Sequence, residues 1–424
     1  MIKLNQTRFS DHGKTIVYDY DIDASLGKYF NKKQPYFVSY DQDVSSVPLG
    51  IAVIPFLANI MPIAWFVGFD VFVDELDATF YDSLQNLKAE FAKHFPNIKE
   101  AKLHVGQKVS NEIDQNEMAI LFSGGLDSFE SVTRNLEKNP FLVSVLGADI
   151  DISDTKRWAD FRRFNTEEKI INDDRLRYVT SNLRKFYTYE VDLLVDVNWW
   201  GKIQHGMALI GLIAPLSYLN GIRTILIASS NTGEVSFGWG STSETDELMK
   251  WANTEVVHDG FEFRRTQKIE NIVDFAKKTG YHIKLRVCYS DLREGYNCSV
   301  CTKCQRTMLG IILCGENPND YGFNVPPNFY DLVLKNFKGD VMMTTGVAYE
   351  WRCLQEKARE SSHPFIIKDK VSEQNNMVTF AALPIADIIN KNVDKQLASK
   401  KMKYVIISKF PKLFNAYLKI RRKL

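Results

Sequence analysis

"MAILFSGGLDSFESV", residues 118–132, decides how this chain is read. Its five apolar residues Met118 to Phe122 are bounded by polar sequence, the mark of a strand buried on both faces inside a parallel sheet. Beyond the loop, Phe129, Val132 and Leu136 recur at helical spacing, so the unit is strand, glycine-rich turn, helix. At such a junction the first backbone N–H groups of the helix lack internal partners and the dipole is positive, which suits an anion and above all a phosphate. Gly124 and Gly125 can take positive φ and admit a ligand to the backbone, with the Ser123 and Ser128 hydroxyls as further donors. The competing reading is a glycine-rich turn with no ligand.

The chain as a whole sets the frame. At 424 residues it exceeds the usual single core, so two or three domains are expected. With 45 % hydrophobic and 25 % charged residues it reads as globular, and a net charge of +1 gives no overall bias toward nucleic acid or membrane. The opening "MIKLNQTRFSDHGK" has no apolar signal core, and the cysteines are clustered, so a cytoplasmic location is expected. Leu49 to Phe69 carries no charge and is long enough to cross a bilayer. Pro55 and Pro62 interrupt it and no Lys or Arg flanks it, so a buried, proline-broken core segment and no membrane contact are expected.

Residues 1–112 read as an α+β domain. "VYDYDID" alternates as a half-buried strand, and Phe80, Leu84, Leu87, Phe91 and Phe95 form a helical stripe ended by Pro96. Residues 113–322 alternate strand and helix: strands at 141–146, 224–228 and 283–287, helices at 206–218 and 267–278. This pattern implies a doubly wound parallel sheet with its ligand at the carboxyl ends of the strands. The long polar loop from Ser229 to Glu247 follows one of them and is the expected substrate side. Residues 323–424 read as a mostly helical extension with a basic end, ten Lys or Arg from Lys395 onward and no acid. That end is either a nucleic-acid or partner contact or the solvated side of helices packed through Val405, Ile406, Ile407, Phe410, Leu413, Phe414 and Leu418.

Four of the six cysteines fall in "CYSDLREGYNCSVCTKC": Cys288, Cys298, Cys301 and Cys304. Two overlapping C-x-x-C pairs plus a cysteine closing the preceding segment can converge on a tetrahedron, the closed geometry of structural zinc. An iron–sulfur cluster, sulfur-carrying thiols and chance clustering are the alternatives. Cys314 and Cys353 read as small buried hydrophobes.

The Ser-Gly-Gly-x-Asp-Ser pattern lacks both the Walker Lys-Ser/Thr and the dinucleotide glycine spacing, and chance would give it in roughly one chain in a thousand of this length. It resembles the PP-loop of the N-type ATP pyrophosphatases, which have the adenine nucleotide alpha hydrolase-like fold. The loop followed by C-x9-C-x2-C-x2-C and Arg306 is similar to the 7-cyano-7-deazaguanine synthases of queuosine biosynthesis, over residues 115–315. That resemblance implies an ATP-dependent ligase: ATP adenylates the carboxylate of 7-carboxy-7-deazaguanine, ammonia displaces AMP, and a second ATP drives dehydration to the nitrile. It further implies that Ser123, Gly124, Gly125, Leu126, Asp127 and Ser128 hold ATP with Mg2+, Asp127 and Ser123 serving catalysis, and that the four cysteines bind zinc. The family's Tyr-Gly-Gln-Arg-His segment is replaced by "LGADIDISDTKRW", its Pro-Asp-Cys-Arg loop by "GSTSETDE", and about 115 residues precede the loop. This elaborated form is similar to queuosine-synthase-like proteins of bacterial antiphage operons, which implies action on a deazaguanine or on a protein or nucleic-acid partner met through the flanking regions.

Arg264, Arg265 and Lys268 open a helix and are candidates to neutralise phosphates, against a solvated basic helix start. His258 and Asp259 are either an acid–base pair or a plain turn. The expected function is AMP- and pyrophosphate-forming activation of a carboxylic acid. The alternatives are a PP-loop tRNA-thiolating enzyme and a nucleotide-sensing partner protein without turnover.

Overall fold

The computed structural model describes residues 1–196, 198–235, 239–288, 290, 295–338, 343–361, 364–385 and six positions between 401 and 410. Ten strands form one sheet: β1 (Ile2–Ser10), β2 (Thr15–Ile22), β3 (Phe37–Tyr40), β4 (Val71–Asp77), β5 (Leu103–Val109), β6 (Glu117–Leu121), β7 (Phe141–Leu146), β8 (Leu176–Ser181), β9 (Ile222–Ala228) and β10 (Glu255–Asp259). Their spatial order is 10-9-6-7-8-3-2-1-4-5. The five strands from β10 to β8 are parallel, β8 meets β3 antiparallel through Val38 to Tyr40, and the first five strands complete the sheet. The expected boundary at residue 112 lies between β5 and β6, and the sheet continues across it.

The helices are α1 (Leu49–Ala52), α2 (Ile54–Val67), α3 (Ala78–His94), α4 (Leu126–Asn135), α5 (Thr155–Glu167), α6 (Tyr189–Asp192), α7 (His205–Gly211) and α8 (Ala214–Asn220), then α9 (Ser243–Asp246), α10 (Arg265–Thr279), α11 (Thr302–Leu313), α12 (Phe329–Lys335), α13 (Thr345–Glu360) and α14 (Lys370–Ala382). Successive strand residues face opposite sides, so Ala119 and Leu121 join one core with α1, α2, α7 and α8. Ile120 and Phe122 join the other, with α4, α5, α10, α11 and the helices after residue 323. Helices thus cover both faces, as an α/β sheet with near-continuous apolar strands requires.

The uncharged segment 49–69 is a core element. Its chain breaks at Val53, Pro55 sits in the first turn of α2 where its missing N–H costs nothing, and Pro62 lies within the helix. Every residue from Ile54 to Phe66 is buried. A Cβ built on Gly211 would stand 2.4 Å from the Ala58 Cβ, so only glycine lets α7 lie this close to α2. Among the described residues no helix is long and apolar enough to cross a membrane.

Three expectations are corrected. Residues 283–287 are not a strand of the sheet, because Leu285 N–H donates to the Tyr321 carbonyl and Arg286 N–H to that of Gly124. The helix expected at 206–218 is two, α7 and α8, with Pro215 in the first turn of the second. Ile406 and Phe410 are 47 % and 53 % exposed, not packed, while Ile407, Leu413, Phe414, Leu418 and most of the basic end lie outside the described residues.

Candidate functional site

The loop between β6 and α4 is shaped by one glycine more than by the other. Gly124 has φ of +71°, the left-handed region that a side chain resists, whereas Gly125 caps α4 with φ of −81°, so of the two glycines able to take positive φ only Gly124 does. A Cβ on Gly124 would meet the Phe164 ring at 2.8 Å. Gly125 N–H donates to the Ser123 hydroxyl at 3.3 Å, and the Ser128 hydroxyl donates to the Gly125 carbonyl at 3.2 Å. Leu126, buried, anchors the first turn of α4 in the core, which leaves Ser123, Asp127 and Ser128 on the cavity side.

Strand β6 lies between β7 and β9, so the connections leaving β6 and β9 part to opposite sides of the sheet, the switch point where α/β sheets bind ligands. A cavity enclosing about 810 Å³, its mouth included, occupies this point. Ser123, Asp127 and Ser128 form one wall, Trp158 and Phe161 of α5 another, Ser230 beyond β9 a third, and His205, Asp149 and Arg286 complete it. This is the size of an ordinary small-molecule pocket, and polar and apolar groups share its walls about equally.

The cations expected at the phosphates are placed otherwise. Arg265 donates through Nη1 to both carboxylate oxygens of Asp127, at 3.0 and 2.7 Å. Burial opposes ionisation of Asp127, but the charges of Arg265, Lys268 and Lys303 outweigh it and hold the carboxyl below its usual range. Lys268 is buried, donates to the Ser229 carbonyl, and has its pKa lowered by desolvation. Arg264 turns outward to Glu234 and Glu356, at 2.8 and 3.1 Å. None of the three lines the cavity. The cation that does is Arg286, which sequence reasoning missed: its Nη1 donates to the Ser123 carbonyl at 3.1 Å and its guanidinium lies 4.7 Å from the centre of the Phe161 ring. The available signal was weak, since in "IKLRVC" Lys284 and Arg286 alternate alike with the apolar Ile283, Leu285 and Val287.

His205 was also missed. It follows a single π-helical turn, Trp200–Gln204, a local irregularity common at functional sites. Its Nδ1 is buried with no hydrogen-bond partner among the described residues, and burial lowers its pKa.

A second cavity of about 800 Å³ lies beyond the loop after β9, between that loop and the end of α3. His258 lines it and is neither in a turn nor paired with Asp259, since both are the last residues of β10. Its Nδ1 lies 2.8 Å from Asp246 Oδ2, which also accepts from the Ser241 hydroxyl at 2.7 Å, so the carboxylate orients the imidazole. Asp259 pairs with Arg134 at 2.6 Å instead.

The four cysteines converge. One sulfur from each lies within 4.8 Å of all the others, with Cys288 to Cys301 at 3.8 Å, Cys298 to Cys304 at 4.0 Å and Cys301 to Cys304 at 3.4 Å. A tetrahedron with zinc–sulfur bonds of about 2.3 Å has edges of about 3.8 Å, so the donor set fits zinc in both spacing and chemistry. Hydrogen bonds from the Cys288 and Cys301 thiols lower the pKa of Cys298. Cys314 caps the end of α11 and Cys353 is buried on α13, both outside this cluster.

No protein-family model, curated protein or solved structure matches this chain.

Proposed function

We propose that the chain is an ATP-dependent ligase of the PP-loop ATP pyrophosphatase type, which activates a carboxylate as its adenylate with release of pyrophosphate. Its chemistry in this reading resembles that of 7-cyano-7-deazaguanine synthase, and its acid is a deazaguanine or belongs to a protein or nucleic-acid partner in antiphage defence. The observation that carries this reading is the Ser-Gly-Gly-Leu-Asp-Ser loop at the switch point, walling a nucleotide-sized cavity with Arg286 on its rim.

In this reading the loop N–H groups, the first turn of α4 and the Ser123 and Ser128 hydroxyls take up the charge that grows on the leaving pyrophosphate. Mg2+ is a hard cation suited to phosphate and carboxylate oxygens, and of the two acids lining the cavity, Asp127 and Asp149, Asp127 stands on the loop itself. A carboxylate oxygen attacks the α-phosphorus, so the protein's main task is alignment. The two cavities offer room for nucleotide and acid on either side of Ser230 and Asn231.

Incubation with ATP, Mg2+ and a panel of acids that includes 7-carboxy-7-deazaguanine tests the proposal. Acid-dependent formation of AMP and pyrophosphate is expected, and ADP as the product refutes it. Because the Tyr-Gly-Gln-Arg-His segment is replaced, the free deazaguanine acid is expected to react poorly or to stop short of the nitrile.

A further inference from the structure

The cysteine cluster and the phosphate loop are joined by two separate chains of contacts. The first leaves the cluster on its N-terminal side. Asn297, next to Cys298, accepts at Oδ1 from the N–H groups of Val287 and Cys288 at 2.9 and 3.2 Å, and donates from Nδ2 to the Leu285 carbonyl at 2.7 Å. That clamp fixes the segment carrying Arg286. Arg286 then grips the loop twice, its N–H donating to the Gly124 carbonyl at 2.7 Å and its guanidinium to the Ser123 carbonyl at 3.1 Å.

The second chain leaves on the C-terminal side. Arg306 follows Cys304 by two residues on α11, and its Nε lies 2.7 Å from Glu350 Oε2 on α13. The same oxygen lies 3.5 Å from Arg265 Nε, and Arg265 holds Asp127. These four side chains are between 7 % and 15 % exposed, so solvent screens their charges little. A carboxylate from the C-terminal helices thus closes a path from the cysteines to the acid of the loop.

We infer that Arg286, and Arg306 acting through Glu350 and Arg265, are positioning residues that couple metal occupancy of the four cysteines to the nucleotide affinity of the phosphate loop. The inference rests on the nucleotide reading given above. A metal drawing the four sulfurs together fixes where both chains begin, and the backbone carbonyls of Ser123 and Gly124 and the carboxylate of Asp127 are where they end. Coupling free energies between linked sites commonly change affinity 5- to 150-fold, and about tenfold is expected here.

The test is calorimetric titration of the full chain with MgATP, which needs no knowledge of the acid. Zinc-loaded protein should bind. Protein stripped by a chelator under reducing conditions, and still folded by circular dichroism, should bind about tenfold more weakly and recover when zinc is returned. Where stripping unfolds the chain, Glu350→Gln decides, because it leaves the cysteines untouched: the melting temperature should fall, since Arg265 and Arg306 lose a buried partner, but the chain should stay folded by circular dichroism with its zinc content unchanged while affinity falls by a similar factor. Zinc removal should then add little in the Glu350→Gln, Arg286→Lys double variant. Affinity indifferent to zinc and to Glu350→Gln overturns the coupling and leaves the nucleotide reading intact. No binding by the zinc-loaded parent chain refutes that reading and the coupling with it.

Discussion

Replacing either glycine of the loop between β6 and α4 by alanine adds one methyl group, yet the two substitutions should differ by several kcal/mol. At Gly124 the backbone is left-handed, which costs an alanine about 1–2 kcal/mol. Its Cβ would also press on Phe164 at 2.8 Å and Phe161 at 3.3 Å, rings held in a packed core, and such overpacking costs about 1–3 kcal/mol. Gly124→Ala should therefore destabilise by about 2–5 kcal/mol in all. At Gly125 the backbone is ordinary, and the nearest atom is the Ser123 hydroxyl at 3.2 Å, which can rotate aside. Gly125→Ala should stay within about 1 kcal/mol, helped by the lower entropy of its unfolded chain. Urea denaturation of the ligand-free protein followed by tryptophan fluorescence measures both. Equal losses, or a larger loss at Gly125, would refute the assignment of the loop's shape to Gly124 and its aromatic backing.

Elemental analysis should find one zinc per chain, with Cys298→Ser and Cys301→Ser losing metal and solubility, while Cys314→Ser and Cys353→Ser cost about 1 kcal/mol of packing; iron with acid-labile sulfide would point to the sulfur-transfer alternative. Asp127→Asn should abolish pyrophosphate release. Because the folded-state pKa of Asp127 is depressed, its ion pair stabilises the fold above the ordinary carboxylate range and the gain is lost as pH falls through the folded value, so the variant should show a flatter acid limb in urea titrations between pH 5 and pH 3, roughly the range of carboxyl titration. His205 runs the other way: burial depresses its pKa against the opposing pull of Asp149 and Asp246 and with the aid of Arg184 and Lys303, so the unfolded chain binds the extra proton first and stability falls as pH drops below 6.5. His205→Gln should remove that loss, and an unchanged pH slope would show that the imidazole is not buried in its neutral form.

Much of the site's scaffold was written locally. The run Met118 to Phe122 became β6 and the residue closing it because an apolar stretch with no polar interruption fits only a doubly covered strand. Three of the four cysteines met because C-x-x-C-x-x-C keeps them close along the chain, and Cys288 joins them where Asn297 ties its N–H back beside Cys298. What the sequence hid was partnership at a distance. The alternation of 283–287 reads as a strand, but nothing in it told that Gly124 and Tyr321, not a neighbouring strand, would take its N–H groups. Asp246 finds His258 only because α9 folds back against β10, and "VVHDG" looks like a turn when only its glycine is weighed. Arg265 looked like a phosphate ligand because its partners Asp127 and Glu350 lie 138 residues before it and far downstream on α13.

The antiparallel seam between β3 and β8 has a consequence for shortening this chain. The first hundred residues look dispensable beside the loop, yet a fragment starting at residue 113 would leave β8 as a bare edge whose backbone groups from Val179 to Ser181 had been paired with Val38 to Tyr40. It would also uncover the sides of α7 and α8 on which α1 and α2 lie. An unprotected edge beside a stripped apolar face is a template for chain-to-chain pairing. Such a fragment should aggregate, and its lack of turnover would reflect self-association and not the loss of a catalytic group.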